Sequence, residues 1–248
     1  MLTAYPVVGK RKSFDICLAW VRGCNGQIGT NYRGGTAFFY GVDESNINVW
    51  EQVLRAKDDY IYCDNSVFDS ARQQQYRVTK NRLQHSGIGT SDGARFKALD
   101  IEIKSWRTGG DHIVVCPQSD SFMRTLAGYP GNWTETVVAA LKAVTKREIR
   151  VRKWSANKAL LAATLEQDLQ GAHCLVTWSS AAAVTAVLAG VPVIVESNDC
   201  AAKPMSGSID DLENLPTPAR ENWASVLADN EWTMAEFQSG FAWRAING

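Results

Sequence analysis

The stretch Leu175–Ser197, LVTWSSAAAVTAVLAGVPVIVES, decides the fold of the second half of this chain. Its spacing predicts a short buried strand over Cys174–Trp178, a pair of serines, a small-residue helix over Ala181–Ala189, a stop at Gly190 and a second strand over Pro192–Glu196. Strand–helix–strand in that order makes a parallel unit, and its crossover places Ser179-Ser180 at the carboxyl end of a strand, where open α/β sheets bind ligands. Two hydroxyls and the N–H groups of a helix start converge there, a setting suited to a phosphate or diphosphate. The same pattern also serves as a purely structural crossover.

Around this unit the chain alternates strands and helices in two halves. In the first, Phe14–Val21 is a strand candidate, followed by the glycine-dense loop Gly23–Gly35 and a short strand at Ala37–Gly41. Asn46–Ala56 carries apolar residues at helical spacing. Tyr60–Cys63 reads as a strand that delivers Asp64 at its carboxyl end, Gln73–Leu83 is polar and basic, and Trp106–Gly110 reads as a linker hinged at Gly109-Gly110. In the second half His112–Cys116 is a strand that leads into Pro117-Gln118-Ser119-Asp120. Thr134–Thr145 is a helix with Val137, Val138, Leu141 and Val144 on one stripe, and Ile149–Val151 is a strand ending in Arg152-Lys153-Trp154. Ser155 can cap a helix over Ala156–Leu165, with Leu160, Leu161, Thr164 and Leu165 inward. The tail, Arg220–Trp243, reads as helical with exposed tryptophans that pack back on the first half. The expected class is α/β: two Rossmann-like parallel-sheet domains, residues 1–108 and 109–248, facing a cleft, with a C-terminal helix returning to the first domain.

Composition bounds the function. A hydrophobic fraction of 45% and a charged fraction of 21% are those of a globular protein. The longest apolar run, Ala181–Val195, is broken by Thr185, Gly190 and Pro192, so no membrane partner is expected. Met1–Lys12 has its cations after its apolar residues, the reverse of a secretory signal, which points to a cytoplasmic location. The cysteines, Cys17, Cys24, Cys63, Cys116, Cys174 and Cys200, are scattered without a C-x-x-C pair, so neither a disulfide framework nor a metal site is expected. Net charge is zero but unevenly placed: residues 1–110 hold 15 Lys+Arg against 11 Asp+Glu, and the remainder reverses that excess. A basic half weakly favours a polyanionic partner.

The run Asp168-Leu169-Gln170-Gly171-Ala172-His173-Cys174-Leu175-Val176-Thr177-Trp178-Ser179-Ser180, continuing through Ala189-Gly190-Val191-Pro192-Val193-Ile194, resembles the C-terminal, nucleotide-sugar-binding domain of GT-B-type glycosyltransferases. The resemblance covers Asp111–Ser197 and part of the tail. It implies that the serine turn faces the donor diphosphate and that the strand after Gly-x-Pro shapes the donor pocket. Over residues 1–110 it rests on Tyr60-Ile61-Tyr62-Cys63-Asp64-Asn65-Ser66-Val67-Phe68, which is similar to a strand end of small phage and capsule glycosyltransferases. The glutamate-rich ribose motif of many GT-B enzymes is not matched; Glu196 and Asp210-Asp211 are what the chain offers in its place.

Sugar departure from a nucleotide diphosphate builds negative charge on phosphate, which hydroxyls, amides, N–H groups and cations must meet where no metal does. Ser179, Ser180, Gln118, Arg152 and Lys153 are the candidates, with Trp154 placed either to stack on the base or sugar or simply to pack. No D-x-D motif ends a strand, which argues against a metal-bound GT-A site. No cofactor is expected beyond a nucleotide-sugar co-substrate such as a UDP-sugar. Asp64, with Asp69 as its alternative, is the candidate base on the acceptor side. Tyr76, Arg77, Lys80, Asn81 and Arg82 mix cations, amide and aromatic in a way that can grip phosphates and base edges, although an exposed helix would look the same. None of the three histidines has metal-ligand spacing. The resemblance to small phage-encoded glycosyltransferases implies transfer of a sugar to a hydroxyl acceptor, a hydroxylated or hydroxymethylated pyrimidine in double-stranded DNA. The alternatives are a capsule or lipopolysaccharide acceptor, or a non-catalytic nucleotide or nucleic-acid binder. A nicotinamide dehydrogenase is disfavoured, because Gly87-Ile88-Gly89 lacks the third glycine of its fingerprint.

Overall fold

A computed structural model describes residues 1–68, 74–153 and 163–247. The chain divides into two compact units, Met1–His85 with Asp229–Gly248, and Ser86–Ala228. Each is an α/β layer structure, as the alternation of elements implied.

In the first unit, β1 (Thr3–Ala4) leads into α1 (Arg11–Cys24), β2 (Gln27–Ile28), β3 (Ala37–Tyr40), α2 (Ile47–Ala56), β4 (Tyr60–Asn65) and β5 (Gln75–Lys80). The sheet order is β11-β5-β4-β3-β1-β2, where β11 (Glu231–Thr233) comes from the tail. Strands β1 to β4 pair in parallel, whereas β5 and β11 join antiparallel, so this sheet is mixed and not purely parallel. The largest correction lies at Phe14–Val21, which is the middle of α1 and not a strand. Ser13, Ile16, Cys17, Trp20 and Val21 are buried at helical intervals, while Phe14 stays 46% exposed beside Asp15 on the outer face. An apolar residue on the solvent side had disguised the period.

The tail returns to this unit. Instead of one helix with exposed tryptophans it breaks into α8 (Glu221–Ala228), which belongs to the second unit, then β11, α9 (Met234–Gln238) and α10 (Phe241–Asn247). Trp223 and Trp232 are buried. Trp20 stacks on Phe38 at 4.6 Å between ring centroids and meets Phe237 and Trp243 edge-on, joining the sheet, α1 and the tail in one core. The approach is so close that a Cβ on Gly23 would lie 1.9 Å from the Phe237 carbonyl oxygen, which accounts for a glycine inside α1.

The second unit contains α3 (Ala94–Ala98), β6 (His112–Cys116), α4 (Asp120–Thr125), α5 (Trp133–Val144), β7 (Glu148–Val151), α6 (Leu165–Leu169), β8 (Ala172–Thr177), α7 (Ala182–Leu188), β9 (Val193–Val195) and β10 (Ser206–Gly207). Its sheet, β10-β9-β8-β6-β7, is parallel throughout. Strands β6, β8 and β9 are buried along their whole length, the signature of a parallel sheet covered on both faces. The β8–α7–β9 unit is the one read from Leu175–Ser197. Most of the helix expected over Ala156–Leu165, with Leu160 and Leu161, lies outside the described residues. At its end Thr164 does not face inward; it caps α6 through a reciprocal capping box with Gln167.

Trp106–Gly110 is not a free linker. Lys104 N–H donates to Leu188 O at 2.9 Å and Arg107 N–H to Gly190 O at 2.7 Å, while Trp106 Nε1 donates to Pro218 O at 2.9 Å. Arg220 clamps the same segment. Its guanidinium donates to Val187 O and Lys104 O, both at 2.6 Å, and lies 3.9 Å from the Trp106 ring centroid.

Candidate functional site

The parallel sheet of the second unit sends four successive carboxyl ends to one edge: Cys116 of β6, Val151 of β7, Thr177 of β8 and Val195 of β9. The residues that follow them form a polar crevice. Thr177 Oγ1 is fully buried, donates to Cys116 O at 2.6 Å and accepts the Ser180 N–H, which fixes the turn. Gln118 Nε2 donates to Ser179 Oγ at 2.9 Å, joining the ends of β6 and β8. Ser180 Oγ accepts the Ala182 N–H at 3.2 Å, and its own O–H has no acceptor among the described residues. Trp178 packs edge-on to Tyr129 at 5.4 Å, and Glu196 Oε2 accepts the Trp133 indole N–H at 2.8 Å.

The structure therefore brings Gln118, Ser179, Ser180 and Glu196 to one sheet edge. It gives Arg152 another partner. The Arg152 guanidinium is ion-paired with Asp168 and touches Ala163 O, so its charge is met locally. Lys153 is exposed, and Trp154 lies outside the described residues. Lys203, which the sequence reading passed over, donates to Val195 O at 2.8 Å and supplies a cation at the end of β9. Helix α7 is only seven residues long, so hydroxyls, amide and Lys203 carry the polarity here more than a helix dipole does.

Asp64, the expected base, does not emerge beyond its strand; it lies inside β4. Its Oδ2 receives Arg77 Nη2 at 2.6 Å, and its Oδ1 receives the Asn65 N–H at 2.7 Å. Arg77 stands opposite Asp64 on β5 and opposite Glu231 on β11, so carboxylate, guanidinium and carboxylate form one row across three strands. Glu231 is 1% exposed and accepts the Val67 N–H at 2.9 Å. Burial, partly offset by the Val67 N–H, the Ser66 hydroxyl and Arg77, raises its carboxyl to about 7. Nothing in the local sequence marks Glu231, because its partners lie more than 150 positions away in the chain.

The run Tyr76–Arg82 is thus not an exposed helix: Tyr76–Lys80 belong to β5 and Asn81-Arg82 to the turn after it. Tyr76 is buried in the core, Arg77 sits between carboxylates and Lys80 pairs with Asp59 at 3.1 Å. Asn81 turns the chain with φ of 56° and ties Asp59 and the Tyr60 N–H. Arg82 follows in that turn, its carbonyl accepting from Thr79 Oγ1. Asp69 lies outside the described residues. Among the described residues no cluster of three or more His, Cys, Asp or Glu is placed to hold a metal ion, and no helix is long and apolar enough to cross a membrane.

The raised Glu231 carboxyl predicts a pH effect. Between the ordinary carboxylate range and about 7 the folded state binds the extra proton, so this group's contribution to stability falls as pH rises through that window. Glu231→Gln is expected to raise the melting temperature at pH 8 and to lose that advantage near pH 5. An equal shift at both values would contradict the assignment.

No protein-family model matches the chain, and no curated protein matches its sequence. Solved structures do match it. Thermosulfurimonas dismutans KpsC, β-Kdo 2,7 transferase, is similar over 99% of this chain and 98% of that one, with a TM-score of 0.54 at 12% identity. Thermosulfurimonas dismutans KpsC, β-Kdo 2,4 transferase, is similar over 90% and 89%, with a TM-score of 0.50 at 11% identity. These likenesses establish a shared fold, the GT-B-like α/β architecture that the resemblance implied.

Proposed function

We propose that the chain is a glycosyltransferase that binds a nucleotide-sugar at the carboxyl edge of the β6–β8–β9 sheet and passes the sugar to a hydroxyl acceptor without a metal. The observation that carries this reading is the crevice itself, where Gln118, Ser179 and Ser180 are held by a partly buried hydrogen-bond network. Its support is a fold shared along the whole chain with transferases. The Ser180 O–H, which lacks an acceptor among the described residues, donates to a phosphate oxygen, and Lys203 offsets the charge that develops as the nucleotide leaves.

The acceptor in this reading is a saccharide hydroxyl. A saccharide is preferred to a pyrimidine in duplex DNA because Arg77, Lys80 and Asn81 have partners within their own unit. The similar structures are named for transfer of Kdo, so a nucleotide-activated Kdo belongs among the donors tested. Asp64 has both oxygens committed, Oδ2 to Arg77 and Oδ1 to the Asn65 N–H, so neither is free to take an acceptor proton. Asp69 is therefore carried forward as the base of an inverting transfer: Asp69→Asn should lower kcat and leave donor affinity intact.

Ser180→Ala tests the crevice. Loss of one hydrogen bond to a charged phosphate costs ~1.5–3 kcal/mol, roughly ten- to 150-fold in nucleotide Kd. An unchanged Kd in calorimetric titration would remove the serine turn from the site. Turnover should also survive EDTA; its loss on chelation, restored by a divalent cation, would overturn the metal-independent part.

A further inference from the structure

The first unit contains a cavity of about 620 Å³, lined in part by Val7, Phe14, Ile28 and Val49, with Lys10 and Arg11 at its margin. It lies beyond the carboxyl ends of β1 and β2, beside the start of α1. In the order β4-β3-β1-β2 the chain leaves β1 toward β2 and then returns to the other side at β3. That reversal is the place where open α/β sheets form ligand crevices.

Three further observations describe the walls of this cavity. The Tyr5–Lys10 loop is pinned from below: Val7 N–H donates to the buried Ser13 hydroxyl at 2.9 Å and Val8 N–H to Ser45 Oγ at 3.0 Å. Buried Asn46 ties Tyr5 O and Gly41 O, joining the loops after β1 and β3. Helix α1, 14 residues long, has no side-chain cap and no acidic residue in its first turn, and the N–H groups of Arg11, Lys12 and Ser13 have no acceptor among the described residues.

Lys10, Arg11 and Lys12 nevertheless crowd this positive end, an arrangement that opposes the helix dipole. Lys12 is accounted for by Asn65 Oδ1 at 2.7 Å, and Arg11 reaches the exposed Asp15 at 3.6 Å. The lining beyond these cations is mainly apolar, and Phe14 and Val8 stand exposed beside it. A bound anion would relieve the opposed charges, and an apolar body would cover the exposed side chains.

We infer that the first unit has its own ligand site in this cavity, for a small organic molecule that joins a phosphate or carboxylate to an apolar body. The volume suits a ligand of one or two rings. This site is separate from the serine crevice, and it stands whether or not the second unit transfers sugar.

The test is titration of the full chain with phenyl phosphate and with inorganic phosphate. Phenyl phosphate should bind at least about tenfold tighter than inorganic phosphate. Lys10→Glu with Arg11→Glu should abolish binding, and Phe14→Ala should bring phenyl phosphate close to the level of inorganic phosphate. These side chains lie on the surface, and ligand-free melting of the variants verifies that they fold. Ser180→Ala should leave phenyl phosphate affinity unchanged while weakening nucleotide binding, so failure of one site is distinguishable from failure of the other. Equal affinity for both phosphates, indifference to the Lys10/Arg11 exchange, or loss on Ser180→Ala would each overturn the inference.

Discussion

Gly190→Ala is expected to destabilise the second unit by about 4 kcal/mol or more, at the far end of what single substitutions do. Two causes add. Gly190 has φ of +77°, a left-handed conformation that costs a residue with a Cβ roughly 1–2 kcal/mol. The new Cβ would also lie 2.0 Å from Ser105 O, and that oxygen cannot retreat freely. Its segment is held on either side by Lys104 N–H to Leu188 O and Arg107 N–H to Gly190 O, and Arg220 grips Lys104 O. Relief of the clash therefore breaks the stitching between this strap and α7, the helix that follows the serine turn. Urea unfolding of Gly190→Ala should show a large fall in midpoint. A midpoint within experimental scatter of the wild-type value would mean that the strap does not dock as described.

Arg77→Met should cost nearly as much in the first unit. The guanidinium is the only cation in the row Asp64–Arg77–Glu231 and also donates to Asn65 O at 3.0 Å. Methionine fills much of its volume but leaves two facing carboxylates without a counter-charge, one of them buried. Removing one partner of a buried pair typically costs about 3–5 kcal/mol. The loss should shrink at low pH, where Glu231 takes a proton and the repulsion disappears. Arg77→Met combined with Glu231→Gln should recover part of it. If the double variant were no more stable than Arg77→Met alone, the three groups would not act as one network.

What the sequence reveals follows from where each element finds its partners. Strands β6, β8 and β9 are short apolar runs bounded by polar turns, and Gly190 marks a chain reversal with its own residue type, so that half of the fold is legible locally. Gln118, Ser179 and Ser180 were legible for the same reason, since they follow such strands. Helix α1 was hidden because Phe14 stands on its polar face and blurs the helical period of Phe14–Val21. Strand β5 was hidden because Arg77 breaks its alternation, and a buried arginine is recognisable only once Asp64 and Glu231 are seen beside it. The tail was misread because Trp223, Trp232 and Trp243 pack into different parts of the molecule. Lys203 and the cavity beyond β1 depend on chain crossings that no local pattern records.

The most direct test of the proposed donor site is thermal melting of the full chain with UDP, GDP, CDP, TDP and their common sugar conjugates, together with a nucleotide-activated Kdo. A ligand bound only to the folded state raises the melting temperature in proportion to its affinity. The account predicts a rise with one nucleotide, a larger rise with its sugar conjugate, and loss of most of both in Ser180→Ala. No rise with any of them would contradict a nucleotide-sugar site at the serine turn.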